Sequence, residues 1–303
     1  MARNLFLVSG FSRGGTNLLW NLICSHPGVL STGIELNEIF GPSRTNIPMY
    51  WKGAIEGFAI PGFPVPGFIA RYGGRRVIES AERHAKESWG RWKTPEDIYT
   101  NSEITHLPVC TKSVNSWARD RVFGLLKRNI SLKYNRLLIR SFGSVKTVYL
   151  IRDAEAVCNG WMRRGCDPYE AGKWYRYIVE MMISDFRWRP DDILFVKFQD
   201  VLLDPLSTAC HAYKFLGLDE LELPAFHLKL KKLLSKEGVH EVLNGTEGAM
   251  RWISQVDIEV FFDSGVDERQ RGMLSVSDSR AFHRGLGDIN SRLEKVFDVS
   301  VTG

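Results

Sequence analysis

Residues 9–17 read Ser9-Gly10-Phe11-Ser12-Arg13-Gly14-Gly15-Thr16-Asn17 (SGFSRGGTN), and what stands on either side of them decides the fold. Just before lies Leu5-Phe6-Leu7-Val8, an apolar run short enough for a strand buried on both faces of a parallel sheet. Just after, Leu18, Leu19, Leu22 and Ile23 recur at helical spacing from Thr16 until His26-Pro27-Gly28 stops the segment. A strand, a glycine-rich turn and a helix in that order place the turn at a helix N-terminus. There the free N–H groups and the positive end of the helix dipole favour an anion, and Gly14 and Gly15 let the backbone close on it. Arg13 adds a cation inside the loop.

The same rhythm recurs downstream. Strands are expected at Pro108–Thr111, Lys146–Ile151 (KTVYLI) and Asp192–Phe198 (DILFVKF), each followed by a helical pattern, which predicts an α/β fold with a parallel β-sheet flanked by helices. Trp174, Tyr177, Ile178, Met181 and Met182 share one helical face and read as core. Asp204-Pro205 is a good N-cap and first position for a further helix that ends at Gly217. Between Gly41 and Gly74 the texture turns to Gly, Pro and aromatic residues, with Pro61, Pro64 and Pro66 forbidding regular helix; this reads as an insertion or cover. With no repeat and no linker, residues 1–303 are expected to form one domain.

Bulk composition excludes several classes. Hydrophobic residues at 44% and charged residues at 25% fit a globular chain rather than a disordered one. A net charge of +5, from 40 basic and 35 acidic residues, suits anionic ligands without implying nucleic acid. The five cysteines, Cys24, Cys110, Cys158, Cys166 and Cys210, have no C-x-x-C spacing and read as reduced thiols rather than a disulfide framework or zinc site. No apolar run approaches a membrane span, and no leader precedes the first strand; a cytoplasmic protein is expected.

The loop differs from the one that grips nucleoside triphosphates. That loop requires Lys and then Ser or Thr after its second glycine, for the terminal phosphates and for magnesium. Here Thr16 and Asn17 stand in those places, so the site calls for a phosphate-like group without a metal. A P-loop kinase or nucleotide hydrolase, and a non-catalytic nucleotide-binding relic, are the competing readings.

The segment S-G-x-x-R-G-G-T-N-L-L-W resembles the 5′-phosphosulfate loop of sulfotransferases that use 3′-phosphoadenosine 5′-phosphosulfate. Gly14 replaces the usual Ser and Asn17 the second Thr. After KTVYLI, the run Arg152-Asp153-Ala154-Glu155-Ala156-Val157 is similar to the family's strand-to-helix segment, which implies that Arg152 binds the nucleotide 3′-phosphate. The partner Ser of that site corresponds to Gly160, with Asn159 beside it as a substitute donor. Val196–Leu218 resembles the family's strand and following helix. Asn244-Gly245-Thr246-Glu247-Gly248 is similar to its C-terminal glycine loop, which implies nucleotide contacts from Gly245 and Arg251.

Sulfuryl transfer needs positioned cations and a base for the acceptor. Arg13 and Lys112 are the candidate cations; Lys112 is expected just past the strand around Val109, at the end where such sheets hold their ligands. The resemblance, in which the base follows the His-Pro that ends the first helix, implies Glu35 as the better match, with Glu38, a histidine or no general base as alternatives. His106 is a further candidate, and the basic run Arg119–Lys146 reads as a solvated face. The implied reaction moves a sulfuryl group to an acceptor hydroxyl or amine, on a glycan, lipid, peptide tyrosine or small molecule. The aromatic residues of 41–74 read equally as an acceptor wall and as cover.

Overall fold

The computed structural model describes residues 3–39, 67–87, 89–115, 138–219, 223–230, 232–234, 240–242, 249–258, 262 and 264–302. Five parallel strands make the central sheet: β1 (Asn4–Phe11), β2 (Leu30–Glu35), β3 (Val109–Asn115), β4 (Ser144–Ile151) and β5 (Ile193–Lys197). Their order is β2-β3-β1-β4-β5. Chain direction explains where a ligand belongs. From β1 the chain crosses toward β2, whereas from β4 it crosses the other way to β5, so a crevice opens above the carboxyl ends of β1 and β4. The loop of residues 12–15 lies at that point, between β1 and α1 (Thr16–Cys24).

The sheet is buried because both faces are covered. On one face α1, α7 (Phe198–Leu203) and α8 (Pro205–Leu216) pack with Phe6, Val8, Val148 and Val196. On the other, α3 (Gly67–Glu87) and α4 (Asn101–His106) cover Leu5, Leu7 and Val109. Beside them, α5 (Ala154–Met162), α6 (Pro168–Trp188) and, from the C-terminal region, α11 (Val276–Leu286) and α12 (Ile289–Thr302) cover Tyr149, Phe195 and Phe11. Phe11, at the end of β1, stacks on Tyr175 of α6 with centroids 4.3 Å apart and meets Trp161 of α5 edge-on. Such aromatic contacts contribute about 0.5–1.5 kcal/mol each beyond burial, and here they fix the point from which the loop departs.

Several elements differ from the sequence reading. The strand expected at Pro108–Thr111 is longer: β3 runs to Asn115 and places Lys112 within the strand, 3% exposed, instead of on a loop beyond it. The last part of the expected cover, Gly67–Gly74, opens α3 directly after Pro66, where a helix can begin; residues 40–66, including Trp51, Phe58 and Phe63, lie outside the described residues. So does most of the basic run, 116–137. An antiparallel pair, β6 (Ala225–Leu230) with β9 (Ala249–Ser254), packs beneath α1, and a shorter pair joins β7 (Lys232–Leu234) to β8 (His240–Val242). Three shorter helices complete the order, α2 (Leu36–Ile39), α9 (Gln255–Ile258) and α10 (Val266–Arg271).

Among the described residues no helix is long and apolar enough to cross a membrane, no group of three or more His, Cys, Asp or Glu is placed to hold a metal ion, and the five cysteines are free thiols.

Candidate active site

The loop is built from hydrogen bonds that tie it to three elements. Gly14 N–H donates to Phe11 O at 2.8 Å, closing a tight turn, and Ser12 N–H donates to Asn115 O of β3 at 2.6 Å. Trp161 Nε1 donates to Ser12 O and Oγ at 3.0 and 2.9 Å. Gly15 is the N-cap of α1 with φ +86°, and a Cβ there would lie 2.2 Å from the Phe198 ring, so only glycine fits. No side chain caps α1. Its first N–H groups are therefore left to solvent or to a ligand.

These N–H groups face a cavity of about 680 Å³ lined by Ser12, Arg13, Gly15, Thr16, Asn17, Glu35, Val114, Arg152, Gly160, Arg163, Arg164 and Gln270. Four arginines and one carboxylate border it. Arg13 and Arg164 have no carboxylate partner among the described residues, and burial, followed by repulsion from Arg164 and Arg163, pushes the Arg13 guanidinium below its usual pKa. An anion placed between them would relieve that repulsion.

Behind two residues of the wall, Glu35 and Asn17, stands the buried Lys112. Its Nζ pairs with Glu35 Oε1 at 2.8 Å, donates to Asn17 Oδ1 and lies 5.0 Å from the centre of the Trp20 ring. Strand β3 buries the stem of the lysine, and β2, whose Glu35 pairs in register with Lys112, brings the carboxylate alongside. Glu35 keeps a side-chain exposure of 29%, so it is anchored yet open to the cavity. Glu38 is turned back: its Oε2 accepts the Glu35 N–H at 3.1 Å, and it is absent from the cavity wall.

Arg152 follows β4 and is 8% exposed. Its Nε donates to Asp267 Oδ1 at 2.7 Å, and Nη1 donates to the Arg13 carbonyl. Asn159 is not in the cavity wall; it donates at 3.1 Å to the O of Gln270, which is, and to the Met273 sulfur. Gly160 does line the cavity; a Cβ there would stand 3.0 Å from Arg13 Cβ, so the missing side chain makes room for the loop arginine. Gly245 lies outside the described residues, and Arg251 is exposed on β9 opposite Leu228, away from the cavity wall. His106 bonds to Ser102 O within its own helix. His26 closes α1 by accepting from Gly28 N at 3.0 Å.

Sequence reasoning singled out most of the loop side of this cavity but not Arg163, Arg164 or Gln270 in its wall, nor Asp267, which holds Arg152. The Arg163-Arg164 pair follows α5 directly and its charge was visible; Gln270 and Asp267 reach the site from an element more than a hundred residues away, with no local signal.

A profile described as the sulfotransferase family matches residues 6–222, well over half of the chain. The chain belongs to the sulfotransferase family. Its fold is similar to that of the sulfotransferase domain from the Synechococcus PCC 7002 olefin synthase, at 15% identity over 98% of this chain and 95% of that one, with a TM-score of 0.52. The sulfotransferase domain from the curacin biosynthetic pathway is similar at 14% identity, 94% and 98% coverage and a TM-score of 0.46. A sulfotransferase from Alicyclobacillus acidocaldarius follows at 11% identity, 74% and 85% coverage and a TM-score of 0.41. No curated protein matches the sequence.

Proposed function

We propose that this sulfotransferase takes its sulfuryl group from 3′-phosphoadenosine 5′-phosphosulfate and passes it in line to an acceptor hydroxyl or amine, with Glu35 as the base. One observation carries the reading: a single cavity is bordered by an uncapped helix N-terminus, by Arg13 and Arg164, which have no carboxylate partner among the described residues, and by Glu35, which Lys112 holds from behind the wall. The donor would supply a sulfuryl group joined to a phosphate through an anhydride oxygen. The backbone from Gly14 to Asn17, with Arg13, would hold the 5′-phosphate end. Arg152, Arg163, Arg164 and the space left by Gly160 would face the nucleotide's second phosphate, with Asn159 holding Gln270 at the cavity edge.

Lys112 offsets the negative charge that grows on the leaving and peripheral oxygens, and it does so from a buried, fixed position, where such charge acts most strongly. Glu35 takes the acceptor's proton. Triphosphate loops hold a magnesium-binding hydroxyl where this loop has Asn17. Here Asn17 accepts from the Lys112 ammonium instead, which supports a reaction run with side-chain cations and no metal.

Calorimetry with 3′-phosphoadenosine 5′-phosphate, compared with ATP plus magnesium, tests the donor: tighter binding of ATP with a metal requirement would sink it in favour of a kinase or hydrolase. Transfer of labelled sulfate from the donor to a panel of acceptors then separates an enzyme from a binding relic. Glu35→Gln is expected to cut turnover by about 10²–10⁴ while bisphosphate binding stays within about threefold. Unchanged turnover would remove Glu35 from its role.

A further inference from the structure

Arg152 joins two elements far apart in the chain. Its Nε and Nη2 both meet Asp267 Oδ1, at 2.7 and 2.6 Å, while Nη1 donates to the main-chain carbonyl of Arg13. The guanidinium lies 4.5 Å from the centre of the Phe198 ring. Arg152 and Asp267 are 8% and 6% exposed, so water has little access to replace either partner. Desolvation offsets much of the attraction in such a buried pair, and stability is a poor account of why it exists. Orientation is a better one, because a planar fork gripped along one edge can point its far end in only one direction.

That far end reaches a strained position. Arg13 has φ +70°, and among the described residues it is the only non-glycine residue with positive φ. A long side chain adopts this left-handed conformation when its surroundings impose it. The carbonyl held by Arg152 belongs to the peptide whose N–H is that of Gly14, so the same hydrogen bond fixes the plane of a loop peptide at the cavity. The element carrying Asp267 is itself docked on the segment that surrounds the loop: Gln270 O accepts from Asn159, the Met273 sulfur accepts from Arg163, and Arg271 lies 3.6 Å from Asp153.

We propose that Asp267 is a positioning residue for the donor site: it fixes Arg152, and Arg152 clamps the phosphate loop in its left-handed bend. The ligand whose binding reports this is the 5′-phosphate end of the donor nucleotide, so that part of the inference rests on the donor reading above.

Both contacts fall on one oxygen, which separates geometry from charge. Asp267→Asn keeps an acceptor oxygen and removes the charge; Asp267→Ala removes both. Each variant is titrated with 3′-phosphoadenosine 5′-phosphate, and amide hydrogen exchange is followed without ligand in peptides spanning the loop and, as a control, β5. Binding is expected to weaken about tenfold or more in Asp267→Ala and to stay within about threefold of wild type in Asp267→Asn. Loop exchange should quicken in the alanine variant alone, with β5 unchanged. Should that variant fail to fold, Asp267→Glu, which displaces the carboxylate by one methylene, replaces it with the same expectations. Tighter binding in both neutral variants would overturn the proposal by making Asp267 an internal competitor for the phosphate. So would a folded alanine variant with unaltered loop exchange, or equal weakening in both variants. If the wild type does not take the bisphosphate, the donor reading fails, while exchange in the loop still decides the role of Asp267.

Discussion

A buried ammonium group must find partners for its charge, and Lys112 has a carboxylate at 2.8 Å, an amide carbonyl on the phosphate loop and an aromatic face at 5.0 Å. It thus couples the loop to Glu35, so neither can shift without the other. A different solution to burial is seen at His84, on α3 behind β2, whose ring leaves no space for a Cβ at Gly33 or Gly90. Burial pushes this imidazole down to about 4, and does the same to His227. In the unfolded chain both would titrate near 6.5, so between these values the unfolded state binds more protons. Their contribution to stability is complete above about pH 6.5 and is lost as pH falls toward 4, by on the order of 2–3 kcal/mol for each group. Urea unfolding at pH 7 and at pH 4.5 should show this loss, and a smaller loss in His84→Gln. An equal loss in the variant would mean that His84 is not held neutral.

Elements whose ends obey local rules are those that the sequence announces. Helix α8 is one: Asp204 accepts the Ser207 N–H at 2.9 Å, Pro205 opens the first turn, and Gly217 ends the helix with φ +76°. Removing that cap by Asp204→Ala should cost about 1 kcal/mol in chemical denaturation and leave bisphosphate affinity unchanged, because α8 is remote from the cavity. An undiminished stability would show the cap to be redundant. Strands β1, β4 and β5 were likewise readable as apolar runs between turn residues, and the loop after β1 as a glycine turn before a helix. Strand β2 was not, since it is an edge strand with polar residues, Gly33 at φ +70° and a register shift between Ser31 and Glu35. The reach of β3 to Asn115 was hidden for a related reason: Thr111, Lys112 and Ser113 are polar by type but buried by context. No periodicity could have announced Asp267, whose contact with Arg152 spans 115 positions.

For the molecule as a whole, the family match ends at residue 222, but the packing does not. Phe226, Leu228, Ile253 and Ile258 belong to the core on the α1 face of the sheet. Phe282, Leu286, Ile289 and Leu293 belong to the core on the α6 face, where α11 lies along α6. We propose that residues 1–303 fold as one unit, with residues 223–303 a structural part of it rather than an appendage. Each of these side chains contributes about 1.5–3 kcal/mol on burial, so losing all of them would be comparable to or greater than the roughly 5–15 kcal/mol by which a domain is usually stable. The same cut removes Gln270 from the cavity wall and Asp267 from Arg152, so stability and donor binding should fail together. A chain ending at residue 222 is expected to show no cooperative melt by circular dichroism and to bind a hydrophobic dye, whereas the full chain melts cooperatively. A soluble truncated chain that melts cooperatively and takes the bisphosphate would divide the protein into two independent parts.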